Sequence, residues 1–208
     1  ICTMKKTIIL ILTIVAVIIL AVLGVREYFS YSSVTFKLSP TVSSINVYNN
    51  DHEADQPNTV GTYKNGSSAR LKNGSYIAKP VGTDIDDSGV NFEVGRDKQV
   101  SVDPDFSGAY LAKVAASEQP NILAAYQQKY PTIMSGYEVN NLQVFGKGDW
   151  AGVLLTPSGM DTQNPENLYR GVINKKNGTW VVIGTPRLVL TLDNTKGVDR
   201  NILTKTNK

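Results

Sequence analysis

An uncharged, mostly aliphatic segment near the N-terminus constrains this chain more than any other feature of its sequence. Residues 7–25 carry no charged side chain, and the pair Lys5-Lys6 stands directly before them. An α-helix rises about 1.5 Å per residue, so such a segment would span roughly 28 Å, close to the hydrocarbon core of a bilayer. We therefore expect a transmembrane helix at residues 7–25, preceded by a short cytoplasmic segment at residues 1–6.

A cleaved signal peptide is the alternative interpretation, because signal peptides also combine basic residues with an apolar core. Their cores run about 7–15 residues and end at a small-x-small cleavage site. Residues 7–25 form a longer run whose end matches that site poorly. The uneven flanking charge, Lys5-Lys6 before the run and Arg26 beside Glu27 after it, favours a cytoplasmic N-terminus. The sequence thus predicts a single-pass protein of the cell membrane whose bulk is extracytoplasmic, with a spacer at residues 26–33.

The composition of the extracytoplasmic part excludes several classes of function. Its charges nearly balance, because only Lys5 and Lys6 of the 21 basic residues, and none of the 18 acidic residues, lie before residue 26. With its charges nearly balanced, this part lacks the excess of positive charge that proteins use to bind nucleic acid. The single cysteine, Cys2, precedes the apolar segment. The remainder therefore has no disulfide framework, thiol nucleophile or thiolate metal site.

Short alternating segments separated by turn residues fill the first half of the extracytoplasmic part. Asn65-Gly66 and Asn73-Gly74 are dipeptides that favour type I′ hairpin turns. Seven strands at this spacing predict a small antiparallel β-sandwich at residues 34–103. The predicted strands are Val34–Leu38, Ser44–Tyr48, Thr59–Lys64, Ser67–Leu71, Ser75–Lys79, Val90–Val94 and Gln99–Val102.

A family resemblance rests on the turn and strand motifs of this region. In chain order they are Leu38-Ser39-Pro40, Ile45–Tyr48, Val60-Gly61, Leu71–Tyr76 and Lys79–Gly82. This arrangement resembles the PEGA domain, a small sandwich related to carboxypeptidase regulatory-like modules. The sequence departs from the family in its extended Asn49–Asn58 loop and in lacking a clean glycine after the Ser-Pro turn. The resemblance implies an extracytoplasmic adhesion or scaffolding module of a membrane-anchored protein, and it brings no catalytic residues.

The second half, residues 104–194, is predicted to be an α+β domain. Tyr110–Ala116 is helix-like, and Pro120 suits the first turn of a second helix that ends before Pro131. Two hairpins and a last strand follow. They comprise Tyr137–Phe145 with Asp149–Leu155, then Leu168–Lys175 with Thr179–Gly184, and finally Arg187–Leu192. The polar tail at residues 195–208 is expected to fray.

A second resemblance rests mainly on Lys175–Ile183, whose Asn-Gly-x-Trp-x-Val pattern closes the second hairpin. Helices followed by such hairpins resemble the cystatin-like and NTF2-like α+β group. That resemblance implies a helix packed on one face of a curved sheet, with Trp150 and Trp180 as core anchors. The expected fold class is therefore α+β, with an N-terminal transmembrane helix, a small antiparallel β-sandwich and helices packed on an antiparallel sheet.

No set of residues in the sequence assembles into a catalytic centre. His52 is the only histidine and lies in a polar loop, which excludes a histidine dyad and gives zinc no convergent ligands. Ser135-Gly136 and Ser158-Gly159 lack the Gly-x-Ser-x-Gly nucleophile elbow. We therefore expect no enzyme activity, no cofactor, and no catalytic, cofactor-binding or metal-binding residues.

The segment Asp84–Gly89 is the sharpest local motif. Its Asp-x-Asp-x-Ser-Gly order matches the first half of a calcium-binding loop. The bidentate glutamate such a loop requires is missing, because Gly95 occupies its position and Glu93 falls two places early. A hairpin turn rich in aspartate and glycine has the same pattern. The sequence favours the turn and leaves calcium binding open.

Taken together, these features predict a non-enzymatic, membrane-anchored interaction or scaffolding protein of a bacterial cell envelope. Its expected partners are an envelope protein or cell-wall glycan and, through its helix, the membrane, but not nucleic acid. The alternative is a small-ligand-binding module that uses the concave sheet of the C-terminal domain. A scaffold should expose an apolar or tyrosine-rich patch on the sandwich. A ligand binder should hold a pocket between helix and sheet, and an enzyme should cluster perturbed carboxylates there.

Overall fold

The chain forms two compact, β-rich units in its computed structural model. The first unit comprises the described residues up to Thr83 together with Asp87–Pro104. The second comprises Asp84–Asp86 and the described residues from Asp105 to Lys208. The structure describes residues 14–15, 17–20, 30–50, 58–159 and 167–208.

Most of the predicted membrane segment lies outside the described residues. Residues 14–15 and 17–20 are helical, and the rest of residues 7–25 is not described. No helix within the described ranges is both long and apolar enough to cross a membrane. The predicted cytoplasmic segment 1–6 and the loop that carries His52 also lie outside these ranges. The transmembrane helix therefore stays a prediction.

The first unit contains seven strands in two sheets. The three-stranded sheet has the order β4-β1-β7, and the four-stranded sheet has the order β3-β2-β5-β6. The strands are β1 (Tyr31–Leu38), β2 (Ser44–Asn49), β3 (Thr59–Tyr63), β4 (Ser68–Lys72), β5 (Gly74–Val81), β6 (Val90–Val94) and β7 (Gln99–Val102). The predicted strands are thus confirmed in number and order, and β6 and β7 have the predicted bounds.

Every second side chain in the later part of β1 is buried in the core of the first unit. Val34, Phe36 and Leu38 are buried, as the two-residue period of a strand requires when one face is covered. The Phe36 ring meets the Phe92 ring of β6 edge-on, with centroids 5.9 Å apart. Because β1 and β6 belong to different sheets, this contact joins the two sheets as layers around one core.

One strand pairing in the first unit corrects the prediction of a purely antiparallel sandwich. β7 pairs with β1 in parallel, from Thr35 opposite Gln99 to Leu38 opposite Val102. The other edge of β1 is already occupied by antiparallel β4. After β6 the chain changes sheets and enters at the free edge of β1, and this crossover makes the pairing parallel.

The second unit contains a four-stranded antiparallel sheet of order β11-β10-β9-β8 and three helices. Its strands are β8 (Tyr137–Phe145), β9 (Trp150–Pro157), β10 (Tyr169–Lys176) and β11 (Thr179–Arg187). We number its helices α1 (Gly108–Lys129), α2 (Pro131–Met134) and α3 (Arg200–Thr206). The α+β class with antiparallel sheets and few helices is confirmed.

Helix α1 covers one face of this sheet. It begins at Ser107, whose side chain accepts a hydrogen bond from the Tyr110 backbone N–H. Ile122 and Tyr126 are buried against Leu155 and Ile173 of the sheet. Trp180, at the start of β11, is buried in the same core. The helix therefore packs on the sheet in the manner the sequence predicts.

The prediction of two separate helices before Pro131 is wrong. One helix, α1, runs through Pro120 without interruption. A proline there has no N–H to donate to the Ala116 carbonyl, which costs stability in a helix interior. Pro120 is exposed, and Ala115 and Ile122 on either side of it pack into the core. Burial of the apolar face on both sides of the proline stabilises a continuous helix.

The C-terminal predictions are also corrected. The chain leaves β11 at Arg187, so the predicted strand Arg187–Leu192 does not form. The predicted fraying tail instead contains α3, whose N-cap Asp199 accepts from the Asn201 backbone N–H. Ile202 and Leu203 of α3 are buried with Phe145 and Val172 on the sheet face opposite α1, in a cluster completed by Leu190 and Val198. Burial of these two aliphatic side chains outweighs the polar character of the segment.

Candidate functional site

Backbone hydrogen bonds join the start of the Asp84–Gly89 segment, which matches half of a calcium-binding loop, to residues 105–107. Ile85 is buried and forms an isolated antiparallel bridge with Phe106. The Asp86 N–H donates to the Asp105 carbonyl at 2.9 Å, and the Ser107 N–H donates to the Asp84 carbonyl at 2.8 Å. Among the described residues, no group of three or more His, Cys, Asp or Glu side chains lies close enough to hold a metal ion. The segment is thus held by backbone hydrogen bonds to residues 105–107, and calcium binding there stays an open prediction.

A half-buried ion pair joins α1 to the sheet. Glu118 of α1 accepts from Lys175 Nζ at 2.5 Å, from Trp180 Nε1 at 2.8 Å and from Asn121 Nδ2 at 3.0 Å. The Lys175 ammonium also lies 5.6 Å from the centroid of the Trp180 ring. The Glu118 side chain is 19% exposed, so water screens the pair only in part.

These donors determine the charge state of Glu118. Hydrogen bonds from Lys175, Asn121 and Trp180 lower the pKa of its carboxyl group from 4.5 to about 2, against the opposing effect of burial. A general acid or base needs a pKa near the working pH. Glu118 is instead held ionised by fixed donors, and the cluster is best explained as a structural link.

An exposed aliphatic segment follows β11, and we call residues 188–192 the apolar loop. Leu188, Val189 and Leu192 are 45%, 59% and 47% exposed, whereas Leu190 between them is 3% exposed. Leu190 packs with Leu203 and Val198 beneath α3. The loop thus anchors itself through one leucine and presents three aliphatic side chains to solvent.

Hydrogen bonds hold the apolar loop in place. The Asn207 side chain accepts from the Leu190 N–H at 3.0 Å and donates to the Leu190 carbonyl at 2.8 Å. Asn194 accepts from the Thr191 N–H at 2.9 Å. Arg170 Nη1 donates to the Leu188 carbonyl at 2.8 Å. A loop fixed at this many backbone groups exposes its aliphatic side chains in a defined arrangement.

A shallow groove lies beside the apolar loop on the α3 face of the sheet, and we call it the cationic groove. Its basic lining residues are Arg170, Lys205 and Lys208, and its amide lining residues are Asn141 and Gln143. It encloses about 70 Å³, well below the roughly 300–1,000 Å³ of pockets that bury a drug-sized ligand. The groove therefore admits one polar group and does not enclose a whole small molecule.

The space between α1 and the sheet is filled at its centre and open at both edges of the helix. Depressions of about 330 Å³ and 350 Å³ lie between α1 and β8 and between α1 and the start of β11. Tyr126, fully buried, fills the space between α1 and β10, where its hydroxyl lies against Gly171. A further open depression of about 470 Å³ lies beside α3, next to Trp150 and Lys205 and near the carboxylates of Asp105 and Asp199.

Comparison with known proteins identifies no relative: no family model, no curated protein and no solved structure matches this chain. The PEGA and cystatin or NTF2 resemblances therefore stay predictions.

Sequence reasoning did not find the residues of the apolar loop and the cationic groove as a site. They come from β8, β10, α3 and a connecting segment, which only the fold brings together. The one local signal is Asp199 followed by Ile202 and Leu203, a helix N-cap before two aliphatic residues. Recognising α3 from that signal would have placed Lys205 against the sheet.

Proposed function

We propose that this chain is a membrane-anchored, extracytoplasmic interaction or scaffolding protein of a bacterial cell envelope, and that it acts without catalysis. The observation that carries the proposal is the apolar loop, an ordered segment with three exposed aliphatic side chains. Exposed apolar clusters on a folded protein are typical of interaction sites. The N-terminal apolar segment supports the membrane anchor, and the PEGA-like motifs support an envelope location.

An envelope protein is the partner that the apolar loop favours. Leu188, Val189 and Leu192 offer aliphatic surface that gains free energy when a partner removes it from water, about 25 cal/mol per Å² of buried apolar area. The loop is already fixed by Asn207 and Asn194, so binding costs little additional ordering. The expected location was the sandwich, but the cluster belongs to the second unit.

The perturbed carboxylates support a non-catalytic role. The pKa of Glu118 is lowered by structural donors, and that of the exposed Asp97 is lowered chiefly by a backbone hydrogen bond from Glu93. Neither carboxylate is shifted towards neutral pH, where a general acid or base works best. Both carboxylates therefore act as hydrogen-bond acceptors that stabilise local structure.

Site-specific photocrosslinking in cells tests the proposal. A benzoylphenylalanine placed at Val189 should give a discrete protein adduct in the membrane fraction, whereas the same group at Val60, 41% exposed in the first unit, should not. Leu188→Ser together with Leu192→Ser should abolish the Val189 adduct. Recovery of the chain in the soluble fraction after alkaline carbonate extraction would overturn the anchor. Equal adducts from Val189 and Val60 would overturn the proposed interaction surface.

A small-ligand-binding module is the second candidate. The depression beside α3 combines the partly exposed indole of Trp150 with the Lys205 ammonium and the Asp199 carboxylate. Such a mixture of aromatic and charged groups suits a compact polar metabolite. If this candidate is correct, Trp150→Ala should abolish a ligand-induced rise in melting temperature, while crosslinking from Val189 yields no protein adduct.

A further inference from the structure

Two arginines stand opposite each other at the end of the sheet of the second unit. Arg170 of β10 and Arg187 of β11 are direct partners in the antiparallel register. Side chains of directly opposed residues share one face of a sheet, with Cβ atoms about 4.5–5.5 Å apart, and like charges there are destabilising. Neither arginine forms an ion pair with a described carboxylate. The pair therefore concentrates positive charge that no carboxylate within the described ranges neutralises by an ion pair.

The Arg170 guanidinium is fixed in position. It donates from Nη1 to the Leu188 carbonyl at 2.8 Å and also lines the cationic groove. A guanidinium has five N–H donors, so one bond to the backbone orients the group and leaves other donors for a ligand. Lys205 extends the positive charge along the groove, where its ammonium lies 5.8 Å from the centroid of the Phe145 ring.

We propose that the cationic groove, extended by Arg187, binds an oxyanion group, phosphate or carboxylate, on a hydroxyl-bearing polymer. Arginine forks match both oxyanions and bind them through paired charge-assisted hydrogen bonds. Asn141 and Gln143 add amide donors and acceptors suited to neighbouring hydroxyl groups. The small enclosed volume of about 70 Å³ accommodates one anionic group while the remainder of the polymer lies across the surface.

The oxyanion site uses different side chains from the aliphatic surface of the apolar loop, although Arg170 also donates to the Leu188 carbonyl. Arg187→Gln, which leaves that bond in place, therefore distinguishes the two sites. The polymer's identification as an envelope component rests on the extracytoplasmic location proposed above, whereas the binding chemistry rests on the arginine pair and the polar lining of the cationic groove. Repeated anionic groups along one polymer would also raise the apparent affinity of a shallow site, because a neighbouring group rebinds before the polymer diffuses away.

Fluorescence anisotropy of labelled polymers with the full chain in nonionic detergent tests the site. The probes are poly(glycerol phosphate), polygalacturonate and neutral dextran, each at low and moderate salt. We expect binding of one or both polyanions and none of dextran. Arg187→Gln should weaken polyanion binding roughly tenfold, as the loss of charge-assisted hydrogen bonds predicts. Arg170→Lys, which keeps the charge but loses the fork, should weaken it as well.

Lys113→Gln, an equal change of charge at an exposed position on α1, is the matched control and should leave affinity unchanged. Binding of phosphate polymer alone or carboxylate polymer alone would identify the oxyanion. Absence of polyanion binding, or equal weakening by Lys113→Gln and Arg187→Gln, would overturn the site. Unchanged melting temperatures of the variants would separate lost binding from lost folding, and crosslinking from Val189 would report separately on the proposed function.

Discussion

Trp180 donates its indole N–H to the Glu118 carboxylate at 2.8 Å, and this bond ties α1 to the first residues of β11. The same carboxylate pairs with Lys175 on β10, so one helical side chain connects two strands. Because hydrogen bonds are directional, the Glu118 carboxylate fixes the position of the helix on the sheet more precisely than apolar contacts alone would. Both tryptophans of the chain belong to the second unit, so tryptophan fluorescence follows its unfolding selectively.

The first prediction concerns the acid stability of the second unit. Because the folded state lowers the pKa of Glu118 from 4.5 to about 2, its contribution to stability is complete above pH 4.5 and is lost as the pH falls towards 2. Glu118→Gln should lower the free energy of unfolding at pH 7 by about 2 kcal/mol. The difference from the unsubstituted chain should shrink markedly at pH 2.5.

Urea unfolding followed by tryptophan fluorescence at both pH values measures this difference. Glu138→Gln, at an exposed position on β8, is the control and should change stability little at either pH. A difference between the Glu118→Gln variant and the unsubstituted chain that stays the same at pH 2.5 and pH 7 would contradict the role assigned to the ionised carboxylate.

The second prediction concerns the buried hydroxyl of Tyr126. It finds no hydrogen-bond partner among the described residues, and burial raises the pKa of the phenol. An unsatisfied buried polar group costs about 1–3 kcal/mol. Tyr126→Phe should therefore leave the unfolding free energy unchanged or raise it. Gly171→Ala should lower it by about 2 kcal/mol, because a methyl group there would overlap the tyrosine ring.

Denaturant midpoints of the two variants, monitored by tryptophan fluorescence, provide the comparison. A loss of more than 1 kcal/mol in Tyr126→Phe, on the scale of a lost hydrogen bond, would mean that the hydroxyl has a partner. Combining the two substitutions should relieve part of the Gly171→Ala penalty, since the phenylalanine lacks the oxygen nearest the added methyl group.

The third prediction concerns the proline inside α1. Pro120 is exposed, so replacing it by alanine removes no buried contact. The change restores the backbone donor to the Ala116 carbonyl and relieves the clash of the ring with the preceding turn. Pro120→Ala should raise the unfolding free energy by about 1–3 kcal/mol. A higher urea midpoint with an unchanged slope would support this, whereas a lower midpoint would show that the proline fits a locally adapted helix.

The strands were predictable because their signal is local. In Val34–Leu38 of β1 and throughout β6 every second residue is apolar, and Asn177-Gly178 marks the turn between the paired strands β10 and β11. Asn65-Gly66 and Asn73-Gly74 instead connect strands of different sheets, so the hairpins that these dipeptides favour do not form. The continuous helix through Pro120 was not predictable in this way. Local rules end a helix at a proline, while the burial of Ala115 and Ile122 that overrides the rule depends on a sheet formed later in the chain.

The candidate site was less predictable than the fold. Arg170 and Arg187 are separated by a hairpin, and Lys205 by a further loop and helix, so their proximity to one surface exists only after folding. The apolar loop has the composition of a strand, which explains the incorrect prediction of Arg187–Leu192. Its conformation is determined by Asn207, a residue in the segment that was expected to fray.

The last prediction concerns that asparagine. The side-chain amide of Asn207 accepts from the Leu190 N–H and donates to the Leu190 carbonyl. It thus satisfies both backbone groups of Leu190, as a paired strand would. Asn207→Ala removes both and should speed amide exchange of the apolar loop by roughly tenfold, which corresponds to about 1.4 kcal/mol of local opening. Asn207→Asp keeps the acceptor and should have a smaller effect.

Hydrogen exchange read by mass spectrometry, with a peptide covering residues 188–195, measures this change. Exchange in β6 of the first unit serves as the internal control and should stay constant. If the loop is a preorganised binding surface, the Val189 crosslink should weaken in Asn207→Ala in proportion to the gain in exchange, because the partner must then pay for ordering the loop. Faster exchange with an undiminished crosslink would show that the aliphatic side chains bind without a fixed loop, and preorganisation would be rejected.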